Sequence, residues 1–175
     1  MLKKQLKITG IILIILILTA IIFIYSSGPN LPAETNGIIE NVIKNPLPEF
    51  IKGKTGYADN ESVKIWYESI EPEDSIKGSI LLTMGIANDA MAWPPVFISA
   101  LLEKGYRVIR YDHRGSGFSD WLQDWSKENA YSLSDMSNDG LAVLDALSID
   151  KANFIGVSMG GMIAQQTAIE YPERV

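Results

Sequence analysis

Five residues, Gly156-Val157-Ser158-Met159-Gly160, constrain this chain more than any others. They lie between a short apolar run, Ala152 to Val157, and a helical stretch, Met159 to Tyr171, that Pro172 ends. A chain that passes from strand to helix without a loop must turn sharply, which forces the junction residue into a strained backbone conformation. Side chains two positions to either side would collide there, so Gly156 and Gly160 are required. The turn lifts the Ser158 hydroxyl out of the sheet. It aims the Met159 amide at the same spot, at the positively polarised start of a helix, where an oxyanion is stabilised. Gly161 is expected to let the helix pack close to its neighbours. A glycine-rich turn with an incidental serine is the competing reading. A phosphate-binding loop is disfavoured, because the chain has no G-x-G-x-x-G and no G-K-[ST].

The elements around this turn follow from periodicity. Val63, Ile65 and Tyr67 alternate with Lys64, Trp66 and Glu68, the pattern of a sheet-edge strand. Asp59-Asn60-Glu61 predicts a turn before it, with a hairpin partner near Tyr57. Ser79 to Met84 is apolar without alternation, as in a strand buried on both faces. A helix is predicted from about Pro94 to Lys104 with Gly105 at its C-terminal cap. Tyr106 to Tyr111 reads as a strand, and Asp112 to Tyr131 as a long loop. Ser132-Leu-Ser-Asp135 resembles a capping box that opens a helix through about Leu147. Strand and helix therefore alternate, which implies an α/β class, a mostly parallel sheet with helices on both faces. Chemistry in such a sheet sits at the carboxyl ends of its strands. The loops there begin at Gly85, Asp112 and Gly156.

Composition excludes several functions. The net charge is −6, and all 21 acidic residues follow Tyr25, whereas three of the fifteen basic ones precede it. An acidic domain is a poor partner for nucleic acid, whose binding rests on Lys and Arg at phosphates. No cysteine is present, and His113 is the single histidine. A thiolate or His-rich metal site is therefore not expected, and no cofactor is implied.

Three motifs in order, LLTMGIANDAMAWP, GYRVIRYDHRGSGFSD and FIGVSMGGMIAQQTAIEYPERV, resemble the α/β-hydrolase family, in particular the esterase branch that includes aclacinomycin methylesterase-like proteins. The resemblance covers about residues 50–175. It implies that Ser158 is the catalytic nucleophile and that the backbone amides of Ile86 and Met159 form the oxyanion hole. Family members often carry His-Gly where this chain has Met84-Gly85. Asp112-His113-Arg114-Gly115-Ser116-Gly117 matches the loop after the family's fourth strand, where Asp112 and Arg114 are expected to hold a tight loop and Gly115 and Gly117 to permit its turns. His113 precedes the serine, whereas the family's order is serine, acid, histidine. The implied activity is hydrolysis of a small-molecule carboxylic ester through an acyl-enzyme. Acyl transfer, C–C or amide hydrolysis, or a non-catalytic ligand-binding protein are the alternatives. Dehalogenase and epoxide hydrolase chemistry is disfavoured, since those relatives place Asp at the elbow. The triad acid and histidine are not expected within these residues, and the fold is expected to be truncated after the nucleophile helix. Residues 49–175 alone are expected to be poorly soluble or only partly ordered, and without measurable esterase activity. Met84, Met91, Trp93, Met159 and Met162 are candidates for an apolar acyl pocket or for plain core. Trp121 and Trp125 are candidates to cover the site, to touch a membrane, or to pack on the sheet.

The N-terminus is of a different kind. Residues 8–25 carry no charge and are mostly Ile and Leu, a run of about 18 residues or roughly 27 Å as a helix, close to a bilayer's hydrocarbon thickness. Lys3, Lys4 and Lys7 precede it, and no basic residue follows until Lys44. The positive-inside rule then predicts a cytoplasmic N-terminus at 1–7, a transmembrane signal anchor at 8–25, a stalk at 26–48 and an extracytoplasmic domain at 49–175. Pro29, Pro32, Pro46 and Pro48 punctuate the stalk, along with Gly28 and Gly37, and a short helix is possible over Ile38–Ile43. A cleaved signal peptide, giving a secreted protein, is the competing reading. Its apolar core is usually only about 7–15 residues long and ends in a small-x-small site.

Overall fold

The apolar run Ser79 to Met84, expected to be a strand buried on both faces, lies inside the sheet of the computed structural model, with a parallel strand paired on each side. The structure describes residues 2–27, 32, 34–44, 49–124, 126–127 and 130–175; Gly28, Pro29, Pro46, Pro48 and Trp125 lie outside the described residues. The chain divides into two units, residues 1–47 and 48–175.

In the second unit, β1 (Lys54–Asn60) and β2 (Val63–Ile70) form the hairpin predicted around Asp59-Asn60-Glu61. Glu61 takes a positive φ of 54° in its turn. Then follow β3 (Gly78–Thr83), α3 (Pro95–Glu103), β4 (Tyr106–Tyr111), α4 (Leu133–Ala146), β5 (Asn153–Gly156) and α5 (Met159–Glu170). The strand order is β1-β2-β4-β3-β5. The sheet is mixed: β1 and β2 pair antiparallel, as do β2 and β4, while β3 pairs parallel with both β4 and β5.

Successive residues of β3 and β4 point to opposite faces, as in any strand. Leu81, Ile109 and Tyr111 join Val143 and Leu144 of α4 in one core layer. Ile80, Leu82 and Val108 join Ile98 of α3 in the other. The two layers place helices on both faces, as the alternating pattern requires. α4 begins with a complete capping box, in which the Ser132 side chain accepts from the Asp135 amide and the Asp135 carboxylate accepts from the Ser132 amide.

One expectation is corrected. β2 is not an edge strand but lies between β1 and β4, and the residues on its polar-looking face, Trp66 and Glu68, are buried. Glu68 stands opposite Arg110 in the register, and both oxygens of its carboxylate are used. Oε2 accepts from Arg110 Nε at 2.8 Å, and Oε1 accepts from the Gly53 amide at 2.7 Å. Arg110 also donates to the Ile51 carbonyl at 3.0 Å. A long-range buried pair of this kind looks, in sequence, like an ordinary solvated alternation.

In the first unit, α1 (Leu2–Ser26) is one continuous helix, and its Thr9–Ser26 segment is long and apolar enough to cross a membrane by length and composition. The Thr9 hydroxyl donates to the Gln5 carbonyl and the Thr19 hydroxyl to those of Ile15 and Leu16, so both threonine hydroxyls are satisfied within the helix. The short helix expected over Ile38–Ile43 is α2 (Thr35–Lys44), with Ile38, Ile39, Val42 and Ile43 exposed.

Removing one partner of a buried ion pair leaves an uncompensated charge, at a cost of about 3–5 kcal/mol. Arg110→Ala is expected to lower the unfolding free energy by that amount in urea titrations. The double replacement Glu68→Leu with Arg110→Met is expected to recover most of it, and a single variant as stable as the parent would show that the pair is not buried.

Candidate active site

The site is generated by the parallel pairing of β3 with β5. Thr83 stands opposite Gly156, and the Val157 amide continues the ladder by donating to the Thr83 carbonyl at 3.1 Å. Two chain segments therefore leave the sheet side by side at its carboxyl edge: Met84-Gly85-Ile86 and Val157-Ser158-Met159.

Ser158 is the pivot. Its backbone lies at φ 53° and ψ −120°, a strained region for a residue with a side chain, and α5 starts at the next residue. The helix starts so close to the sheet that no side chain fits at two positions. A Cβ on Gly156 would lie 2.2 Å from the carbonyl of Gly160, and one on Gly160 would lie 2.0 Å from the Thr83 carbonyl oxygen. Gly161 differs, since the nearest atom to a Cβ there is the Gly156 oxygen at 3.4 Å, an ordinary contact.

Gly85 lies against the serine: a Cβ on it would be 3.2 Å from Ser158 Cβ and 3.9 Å from Oγ. The structure thus brings together Ser158, Met159 and the Gly85-Ile86 segment. Among the described residues, neither the Ile86 nor the Met159 amide donates to a protein acceptor. The Ser158 side chain is exposed, and Ile86, Val157 and Met162 present exposed apolar side chains on the same segments. The five residues proposed for an acyl pocket divide. Met84 and Trp93 are buried in the core layer under α3, while Met162 is exposed. Trp121 is exposed rather than packed on the sheet, and its indole donates to the Gly117 carbonyl at 3.1 Å.

The segment after β4 holds the site's surroundings. Asp112 Oδ1 accepts from the Ala90 amide at 2.7 Å, and Oδ2 accepts from the Phe118 amide at 2.8 Å. Burial pushes the Asp112 carboxyl above its ordinary pKa, opposed by these two hydrogen bonds. A Cβ on Gly117 would collide with the Asp112 carboxylate, and Gly117 has a φ of 52°. Arg114 donates through Nε and an Nη to both oxygens of Asp139 on α4, each at 2.7 Å, and its guanidinium lies over the Tyr131 ring. Asp112 and Arg114 thus tie this loop to Ala90, Phe118 and Asp139.

Sequence reasoning missed Asp139 and the place of His113. Asp139 is fully buried, accepts also from Asn60 Nδ2 at 2.8 Å, and so ties β1, α4 and the loop together. Only the fold reveals this, because the three partners are far apart along the chain. His113 is buried with Nε2 2.8 Å from the Met84 carbonyl. A carbonyl only accepts, so Nε2 carries the proton. Burial holds the His113 pKa below its ordinary value, against smaller opposing effects from that hydrogen bond and from Asp139 and Asp112.

The profile of the alpha/beta hydrolase fold family matches residues 78–175, more than half of the chain and all of this site. The chain belongs to the α/β-hydrolase family. Among curated relatives of this α/β-hydrolase, rhodomycin D methylesterase DauP of Streptomyces sp. strain C5 is 37% identical over 66% of this chain and 37% of its own length. The 3-oxoadipate enol-lactonase 1 of Acinetobacter baylyi is 38% identical over 49% of this chain and 29% of its own. The solved enol-lactonase of Burkholderia xenovorans LB400 superposes with a TM-score of 0.61 at 30% identity, over 69% of this chain and 44% of the other. The chain thus spans a little over a third of the methylesterase's length.

The two neighbouring glycines test the elbow. Gly160→Ala is expected to destabilise the domain by about 3 kcal/mol or more, since its Cβ meets backbone rather than a movable side chain. Gly161→Ala is expected to be neutral or to stabilise by up to about 1 kcal/mol, through helix propensity. Thermal or urea unfolding of the two variants distinguishes them, and equal losses would contradict the observed elbow packing.

Proposed function

We propose that this protein is a membrane-anchored serine hydrolase that cleaves a carboxylic ester through an acyl-enzyme, with Ser158 as nucleophile. The observation that carries the reading is Ser158 at φ 53° at the head of α5, on the segments that hold the Ile86 and Met159 amides, neither of which donates to a protein acceptor among the described residues. In the proposed reaction, Ser158 Oγ attacks the ester carbonyl carbon and its proton passes to a general base. The carbonyl oxygen becomes an oxyanion held by the Ile86 and Met159 amides. Collapse expels the alcohol with a proton, and water then hydrolyses the acyl-serine to the free acid.

A serine hydroxyl is a weak nucleophile at neutral pH unless a base stands beside it. His113 is not assigned that role, because its Nε2 proton is committed to the Met84 carbonyl and its ring is buried. The names of the relatives favour an ester, since a methylesterase and an enol-lactonase both cleave a carbonyl–oxygen bond. The exposed apolar side chains of Ile86, Val157 and Met162 favour an apolar acyl group.

The anchor is proposed on α1. Its apolar segment is long enough to cross a bilayer, and Lys3, Lys4 and Lys7 favour retention of the N-terminus in the cytoplasm. Ester and lactone substrates would then be met on the outer side of the membrane.

Two experiments test this reading on the intact protein. Ser158→Ala is expected to abolish fluorophosphonate labelling and reduce aryl-ester turnover by about 10³-fold or more, with unfolding unchanged. Turnover that survives the substitution would remove Ser158 from the mechanism. On fractionation the protein is expected in the membrane at full mass, with its domain open to protease from the outer side. A mature N-terminus beginning after residue 25 would identify a cleaved signal instead.

A further inference from the structure

The candidate oxyanion donor Ile86 lies on a short, irregular connection that no regular element supports. From Met84 to Asp89 the chain is neither strand nor helix, Ala87 takes a positive φ of 61°, and a single 3-10 turn, Ala90–Ala92, follows. Asn88 adds only a long hydrogen bond of 3.4 Å to the Ile86 carbonyl. An oxyanion donor acts by being held in place before charge develops, so something must fix this connection.

Two consecutive side chains from the end of β4 do so. At one end, His113 Nε2 donates to the Met84 carbonyl at 2.8 Å. At the other, Asp112 Oδ1 accepts from the Ala90 amide at 2.7 Å. The next residue, Arg114, locks the same segment to buried Asp139 on α4. The Tyr111 ring meets the His113 ring edge to face at 5.4 Å, which sets the imidazole plane. The result is a rigid fork whose tips grip the two ends of the Ile86 connection.

We propose that His113 is a positioning residue for hydrolysis: with Asp112 it clamps the Met84–Ala90 connection and so sets the Ile86 amide opposite Ser158. This rests on the hydrolase reading of Ser158 for its catalytic consequence, but not for the clamp itself. His113 touches no reacting atom. It acts through the Met84 carbonyl, two residues before the donor. Met84 is buried and its carbonyl is the acceptor, so the side chain at position 84 need supply no polar group.

The clamp and its consequence are tested separately on the intact protein. With ¹⁵N-labelled histidine, the signal lost in His113→Gln identifies His113, and it should show the neutral Nε2–H tautomer with a slowly exchanging proton. An Nδ1–H tautomer, or an imidazole that titrates as if free in water, would overturn the clamp whether or not the protein hydrolyses esters. For turnover, removing an oxyanion donor outright costs about 10²–10³-fold in kcat, so a displaced donor in His113→Ala should cost about tenfold, with KM little changed. Gln offers an N–H where Nε2 stood, and His113→Gln should recover most of kcat. An unchanged kcat in His113→Ala, or equal loss in both variants, would overturn the positioning role. Wild-type protein with no Ser158-dependent turnover would overturn the hydrolase reading and with it the catalytic consequence, while the tautomer still decides the clamp.

Discussion

Everything at the carboxyl edge of the sheet depends on how closely α5 starts above β3. With the Thr83 carbonyl where a Gly160 Cβ would stand, the helix axis is pressed onto the strand ends, and the only way to join β5 to it is through a residue at positive φ. That residue is Ser158. The same closeness puts Gly85 against the serine side chain, and the first amide of α5 donates to no protein acceptor among the described residues. Strain at one residue, about 1–3 kcal/mol for such a conformation, is sustained by packing spread over two strands and a helix. The exposed hydroxyl is a consequence of backbone geometry, and it needs no side chain to hold it up.

A second, polar layer supports the first. Asp112, His113 and Arg114 each leave β4 in a different direction: to Ala90, to Met84 and to Asp139. All three contacts are buried or nearly so, and each satisfies groups that would otherwise be costly inside the domain. The loop that resembles a family signature is therefore a joint between three elements. Its glycines serve the same end, since Gly117 leaves room for the Asp112 carboxylate that organises the turn.

Much of this was legible in the sequence because the constraints are local. Gly156 and Gly160 follow from a strand meeting a helix without a loop, and the Ser132–Asp135 box and the hairpin at Asp59–Glu61 are set by residues a few positions apart. What was not legible is long-range. Glu68 and Trp66 looked solvated because alternation reveals a repeat, not what lies beyond it; the partner that buries Glu68 is Arg110, 42 residues away. His113 looked like a bystander for the same reason, since its acceptor is a backbone carbonyl, which has no signature in sequence. Gly161 looked like a packing residue by its place beside Gly160, but a helix turns about 100° per residue and it faces a roomier side. Met84 and Trp93 show the bland outcome: apolar residues near a site are more often the floor under it than its lining.

The central claim is that the strained serine at the elbow is the reactive one. Its most direct test is to treat the intact protein with a fluorophosphonate and map the adduct by tryptic peptide mass spectrometry. Cleavage after Lys151 and Arg174 gives a peptide, residues 152–174, in which Ser158 is the single serine. A stoichiometric adduct on Ser158 in that peptide is the predicted result; an unmodified peptide, with the label elsewhere or absent, would contradict it.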